Sequence, residues 1–127
     1  MMNENVKIIN VGFKQANPTD KQLADVLADV TYASAYWCAY IKSSISPKKL
    51  VGDTREDKWL DCLKQGGTLT VFDVEDAIEP TSITYQQLVN GYKKALKVGT
   101  FMYESQRDGS FADAVLQIAA FDDIIFG

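Results

Sequence analysis

The stretch TDKQLADVLADVTYASAYWCAYIKS, residues 19–43, determines the fold that the sequence predicts. Thr19 and Gln22 form a capping box, because each side chain can accept a backbone N–H that a helix start leaves without a partner. Beyond them, apolar residues recur at alternating steps of four and three, which is typical of one face of an amphipathic helix. The pattern predicts a long helix from about Asp20 to about Ser43, with Trp37 on its buried face.

Strands are predicted on both sides of the chain's centre. A β-branched run at residues 6–13 indicates a first strand, and residues 68–74 alternate as a half-buried strand should. An acidic loop that ends at Pro80 then turns the chain into a partner strand at residues 81–84. Because the last two strands are joined by a short connection, we expect them to pair in an antiparallel way.

Residues that are typical of helix starts and helix ends predict three further helices. One is predicted over residues 54–64, ended by Gly66-Gly67, and a second opens with a capping box at residues 84–87. Ser110 is predicted to cap a last helix. The prediction is one α+β domain over residues 1–127, in which about four helices, including one long N-terminal helix, pack on a small, mostly antiparallel sheet.

The composition argues against several partners. The formal net charge is −4, whereas a protein that binds a nucleic-acid backbone needs a concentrated basic face. No apolar run approaches the length of a membrane span, and the first residues lack the layout of a signal peptide. We therefore expect a cytoplasmic protein that contacts neither a membrane nor a nucleic-acid backbone.

The sequence contains no histidine, and for this reason we do not expect an enzyme. Histidine supplies the base of most Ser-His and Cys-His nucleophile pairs and a ligand of most zinc sites. Cys38 and Cys62 have apolar or acidic neighbours in sequence, so neither thiol is expected to be activated. We expect two buried, reduced thiols, no catalytic residue, no resident metal and no cofactor.

A row of tyrosines is the first candidate site. On the predicted helix, Tyr32, Tyr36 and Tyr40 recur at every fourth residue, and Asp29 and Asp25 continue the row towards the helix start. A second layer of structure could cover this row. If nothing covers it, the row is an exposed acidic-aromatic strip, the composition of a protein-binding hot spot.

An acidic cluster is the weaker candidate site. Asp73, Glu75, Asp76 and Glu79 lie within seven residues and could bind Mg²⁺ or Ca²⁺. Their spacing does not fit an EF-hand loop, because its fixed glycine and terminal glutamate are missing. A solvated acidic loop is the favoured interpretation.

Three segments together resemble a family of small, functionally unassigned proteins of bacteriophages and prophages. They are Tyr36-Trp37-Cys38, the turn Gly66-Gly67-Thr68-Leu69, and the tail ADAVLQIAAFDDIIFG at residues 112–127. Family members have, in the same order, a YWC helix, a GGTL strand and an ADAILQ-type tail. This chain differs just before Tyr36, where residues 31–34 replace the glycines of the family.

The resemblance implies a phage accessory protein that binds and inhibits a host protein, for example a defence nuclease, as anti-CRISPR proteins do. It implies no catalytic residues. Two alternatives stay open. One is a protein that binds or sequesters a nucleotide-like small molecule by stacking on the tyrosines, and the other is a divalent-metal enzyme that uses the Asp73–Glu79 carboxylates. A homo-oligomer is compatible with the binding roles.

Overall fold

The computed structural model describes residues 17–75, 78–98, 101 and 107–127. These residues form four α-helices, a three-stranded sheet and one short 3₁₀ helix, which confirms the predicted α+β class. In chain order the elements are α1 (Asp20–Ala33), β1 (Cys38–Ser43), the 3₁₀ helix (Pro47–Lys49), α2 (Arg55–Lys64), β2 (Leu69–Asp73), β3 (Thr81–Ile83), α3 (Tyr85–Ala95) and α4 (Gly109–Phe121). The predicted strand at residues 6–13 lies outside the described residues.

The sheet is antiparallel in the order β1-β2-β3. Leu69 on the central strand lies opposite Ser43 on one side and Ile83 on the other. Side chains alternate along β2, so that Leu69 and Val71 are buried beneath the helices while Thr70 and Phe72 point to the opposite face. The predicted pairing of two antiparallel strands after residue 68 is confirmed.

The prediction of one helix from Asp20 to Ser43 is wrong. α1 ends at Ala33, a turn follows, and β1 begins at Cys38. The turn is closed by the backbone N–H of Cys38, which donates to the carbonyl oxygen of Ser34 at 2.8 Å. Apolar periodicity cannot separate a helix from a short buried strand, and this segment is rich in the aromatic residues that favour strands.

The helix starts follow local chemistry. The Thr19–Gln22 and Thr84–Gln87 capping boxes are both present, with each hydroxyl and each amide oxygen accepting a backbone N–H. The predicted cap at Ser110 is wrong, because α4 is capped by Asp108, whose carboxylate accepts the N–H of Ser110 at 2.9 Å. Ser110 therefore lies inside the first turn of the helix.

The core lies where α4 packs against α1 and α3. Leu23 and Leu27 of α1, Leu88 of α3 and Leu116 of α4 are fully buried within it. α3 and α4 approach so closely that a Cβ added at Gly91 would lie 2.7 Å from the carbonyl oxygen of Val115. The absence of a side chain at Gly91 therefore sets the distance between these two helices.

We predict that Gly91→Ala destabilises the protein by about 1–3 kcal/mol, because a backbone atom of α4 would have to move. Alanine favours a helix by about 1 kcal/mol over glycine, so the clash has to outweigh a gain. Urea unfolding measures the change, and Asn90→Ala, at an exposed position on α3, is the control. A Gly91→Ala protein as stable as the wild type would contradict this close packing.

Candidate functional site

The carboxylate of Asp113 on α4 binds the turn that follows α1 and Gln117 of its own helix. Its Oδ1 accepts the hydroxyl of Ser34 and the indole N–H of Trp37, both at 2.7 Å. Its Oδ2 accepts the hydroxyl of Tyr36 at 2.6 Å and the side-chain amide of Gln117 at 3.0 Å. A carboxylate taken partly out of water needs such donors, and hydrogen bonds to a charged acceptor are the stronger kind.

Gln117 extends this network to the end of the described chain. The residue is fully buried, and its Oε1 accepts the backbone N–H groups of Ile125 and Phe126 at 2.9 and 2.8 Å. The ring of Phe126 then stacks on Trp37 with a centroid separation of 4.8 Å. The segment after α4 is therefore an irregular tail held by one glutamine and one ring.

The network orders Tyr36 while leaving its ring accessible. The side chain is 52% exposed, but its hydroxyl donates to Asp113 and accepts the amide of Gln117 at 3.1 Å. Burial of the hydroxyl, together with its hydrogen bond to the Asp113 carboxylate and the charge of that group, raises the pKa of Tyr36 to about 12. A preset aromatic ring loses little conformational entropy when a partner covers it.

Tyr32 at the end of α1 is a second exposed aromatic ring, with 65% of its side chain exposed. Its hydroxyl donates to Asp29 at 3.3 Å, and the charge of Asp29 raises the pKa of this tyrosine, with Asp108 adding to the effect. The ring lies over Gly109, where an added Cβ would come within 3.4 Å of the ring edge.

Tyr32 and Tyr36 line a common cleft between the end of α1 and the start of α4. We call it the tyrosine cleft. Its volume is about 680 Å³, and its other lining residues include Asp108, Asp113 and the exposed Ile124. None of the described residues that line it carries a positive charge. The cleft therefore offers aromatic and aliphatic surface within a negative field.

The structure brings only part of the predicted tyrosine row together. Because α1 stops at Ala33, Tyr40 lies on β1 and does not line the tyrosine cleft. Asp25 and Asp29 lie beside a separate depression next to Tyr92, and Asp25 forms an ion pair with Lys21 at 3.1 Å. The prediction of one continuous helical ladder is wrong, although all three tyrosines are exposed.

Tyr40 belongs to the sheet face that points away from the helices. Its ring stacks on Phe72 of the neighbouring strand, with centroids 4.3 Å apart and planes inclined by 13°. The side chain is 55% exposed. Stacking across a strand pair stabilises the sheet, so Tyr40 has a structural contact that Tyr32 lacks.

The acidic residues after β2 are divided between core and surface. Asp73 is buried at the end of β2, whereas Glu75 and Glu79 are exposed. Asp76 lies outside the described residues. Among the residues that are described, no three acidic, cysteine or histidine side chains lie close enough to hold a metal ion.

Neither cysteine forms a disulfide. Both side chains are buried, and burial raises the pKa of the Cys38 thiol. The Cys62 sulfur lies 3.6 Å from the carbonyl oxygen of Thr68, which it meets as a weak donor. The raised pKa of Cys38 is that of a structural thiol, because an activated cysteine needs a lowered pKa.

Asp113 and Gln117 are not among the site residues predicted from the sequence. They stand four residues apart in a helix whose other positions are mostly alanine, valine, leucine and isoleucine. A polar pair at this spacing lies on one face of a helix that is apolar on most of its circumference. That pattern indicates a buried polar network and could have located it.

No protein-family model, no curated protein and no solved structure matches this chain. Across the described residues, no helix has both the length and the apolar character that crossing a bilayer requires.

We predict that Asp113→Asn destabilises the protein by about 2–4 kcal/mol, because an amide cannot accept every donor that the carboxylate accepts. The free energy of unfolding in urea measures this loss. Asp53→Asn is the control, since Asp53 is exposed, and it should change stability by less than about 0.5 kcal/mol. Equal effects of the two substitutions would show that the Asp113 network contributes nothing.

We predict that the raised pKa of Tyr36 makes the free energy of unfolding fall as the pH rises above 10. A tyrosine with a pKa near 12 in the folded state and near 10 when unfolded contributes its stability in full below pH 10. That contribution is lost as the pH rises from 10 to 12, because the unfolded state then releases the proton first. Tyrosinate absorbance should show a component near pH 12 that Tyr36→Phe lacks; loss of a component near pH 10 instead would contradict this.

Proposed function

We propose that this protein binds another protein through the tyrosine cleft and that it acts as an inhibitor of its partner. The observation that supports the proposal most directly is the pair of exposed rings, Tyr32 and Tyr36, that carboxylates hold in place at one cleft. Tyrosine is enriched among the residues that carry the binding energy of protein interfaces. A soluble protein has little other reason to display two ordered tyrosines beside an exposed isoleucine.

The charge of the cleft indicates the chemistry of the partner. Asp108 and Asp113 line the cleft beside the two rings, Asp29 accepts the hydroxyl of Tyr32, and none of the described lining residues is a cation. A lysine- or arginine-rich segment fits this field, and its cation can also lie over a tyrosine ring. Basic segments of this kind form the nucleic-acid sites of nucleases and their regulators, so occupancy of the cleft would block such a site.

The host nuclease is the partner class that the resemblance to phage accessory proteins suggests. That resemblance includes a YWC helix, whereas Tyr36-Trp37-Cys38 here forms a turn that leads into β1. The proposal of an anti-defence inhibitor therefore depends on the acidic, aromatic surface together with the order of the three segments.

The same surface argues against the alternative of a nucleotide-like ligand at the tyrosines. A phosphate group would meet the carboxylates of Asp108 and Asp113 in a cleft with no described cation. The negative charges of the phosphate and of the carboxylates would repel each other. Stacking of the ligand on one tyrosine ring would offset only part of that repulsion.

The proposal predicts that Tyr32→Ala combined with Ile124→Ser weakens partner binding by about 30-fold, the effect of removing one interface hot spot. Tyr32 lies outside the Asp113 network, so the melting temperature should stay close to that of the wild type. Binding is measured by quantitative capture from host lysate, then by calorimetry with the purified partner. The partner's nuclease or nucleic-acid-binding activity, assayed with and without the protein, tests inhibition.

Val51→Ser is the control, because this apolar residue is 76% exposed and lies outside the cleft. Tyr36→Ala is not suitable, since it would disrupt the network that holds the turn and the tail. If Val51→Ser weakens binding as strongly as the cleft variant does, the cleft is not the interface. Binding that does not weaken with rising salt would exclude a basic partner segment.

A further inference from the structure

A second groove lies along β1, away from the tyrosine cleft. It has a volume of about 580 Å³, within the range of about 300–1,000 Å³ that is typical of ligand sites. β1 forms one wall, and Trp59 with Arg55 from α2 forms another. We call it the β1-edge groove.

On this side, the backbone groups of β1 pair with no strand among residues 17–75, 78–98, 101 and 107–127. Among the described residues, β1 pairs with β2 alone, so its other edge has no neighbouring strand. The N–H of Ser44 donates to Thr68 of the chain that leads into β2, which places Ser44 in a hydrogen-bonded pair. Because such pairs alternate with non-bonded ones, the N–H and C=O groups of Ile41 and Ser43 point into the groove.

The charge of the groove is opposite to that of the whole chain. The described lining residues include Lys42 and Arg55 and no carboxylate, although the net charge of the protein is −4. The ion pairs of the described residues are Lys21–Asp25, Lys64–Asp20 and Lys94–Asp122, so neither groove cation has an acidic partner there. Both cations are therefore available to an acidic ligand.

Arg55 is positioned without being neutralised. Its guanidinium carbon lies 4.9 Å from the ring centroid of Trp59, which is a cation–π arrangement. A guanidinium that lies over an aromatic ring can still donate its N–H groups to a carboxylate in a bidentate way. Hydroxyl groups of Ser44 and Ser46 also line the groove.

We propose that the β1-edge groove binds an extended acidic segment of another protein, which adds to the sheet as a strand beside β1. Main-chain bonds to Ile41 and Ser43 give such strand addition its affinity, and side-chain pockets give it specificity. Acidic side chains of the added segment reach Lys42 and Arg55. A second copy of this chain is a poor occupant, since two β1 edges would bring their own Lys42 and Arg55 side chains together.

The test uses a pool of fluorescent peptides of about six residues, the usual length of a strand. Glutamate or aspartate alternates in them with valine, threonine or tyrosine, and binding to the full chain is followed by anisotropy. We expect the peptides to bind, and we expect Lys42→Glu combined with Arg55→Glu to weaken binding by about tenfold or more. Lys93→Glu combined with Lys97→Glu, which makes the same charge change outside the groove, should have little effect.

Peptides with an N-methyl group on every backbone amide separate strand addition from simple charge attraction. They keep every side chain but have no N–H on either edge to donate to β1, so their binding should be lost. Ser43→Pro removes one groove-facing N–H from an edge strand, where proline is tolerated, and should weaken binding without unfolding the protein.

Three results would overturn the proposal: no binding of the acidic pool at millimolar concentration, equal binding of the N-methylated peptides, or equal binding to the charge-reversed variant. Formation of a dimer that excludes the peptides, detected by sedimentation, would assign the edge to a second copy instead. Loss of this site leaves the tyrosine cleft untouched, because the two sites share no lining residue.

Discussion

This fold depends on one partly buried carboxylate and on the hydrogen-bond donors that surround it. Asp113 stands on an otherwise apolar helix and accepts from Ser34, Trp37, Tyr36 and Gln117. Three of these donors belong to the turn that ends α1. Their hydrogen bonds hold the turn against α4, and the chain continues from the turn as β1. Without that acceptor, the indole N–H of a fully buried tryptophan would lose its partner, a cost that proteins avoid.

The same network connects stability with recognition. Tyr36 is held by its hydroxyl, while its ring stays exposed beside Tyr32. Binding surfaces gain affinity when their side chains are ordered before the partner arrives, because less entropy is lost on association. The network thus orders a surface ring by the same bonds that fix the core, and substitutions of Asp113 affect both.

The distribution of charge gives the molecule two different surfaces. The tyrosine cleft presents carboxylates with aromatic rings, and the β1-edge groove presents two cations with a tryptophan. A segment that one of these surfaces attracts is repelled by the other, so the two surfaces select segments of opposite charge.

Much of this structure was predictable from the sequence, and the limits have physical causes. The capping boxes at Thr19 and Thr84 located two helix starts, because a cap depends only on neighbouring residues. The end of α1 was missed, since it is set by Asp113, a residue distant in sequence, against a local pattern that fits a helix. The predicted helical row is broken for the same reason: Tyr40 lies outside it because the helix ends at Ala33, while Tyr32 and Tyr36 remain neighbours at one cleft.

The two tryptophans lie in different environments, so their fluorescence reports on two different parts of the molecule. Trp37 lies in the core against Phe126, with its indole N–H bound to a carboxylate, so its fluorescence follows the closure of the turn and the seating of the tail. Trp59 lies at the β1-edge groove under a guanidinium group, so its emission follows what enters that groove. A chain with phenylalanine at one of these positions therefore carries a single optical probe of either folding or occupancy, with no added label.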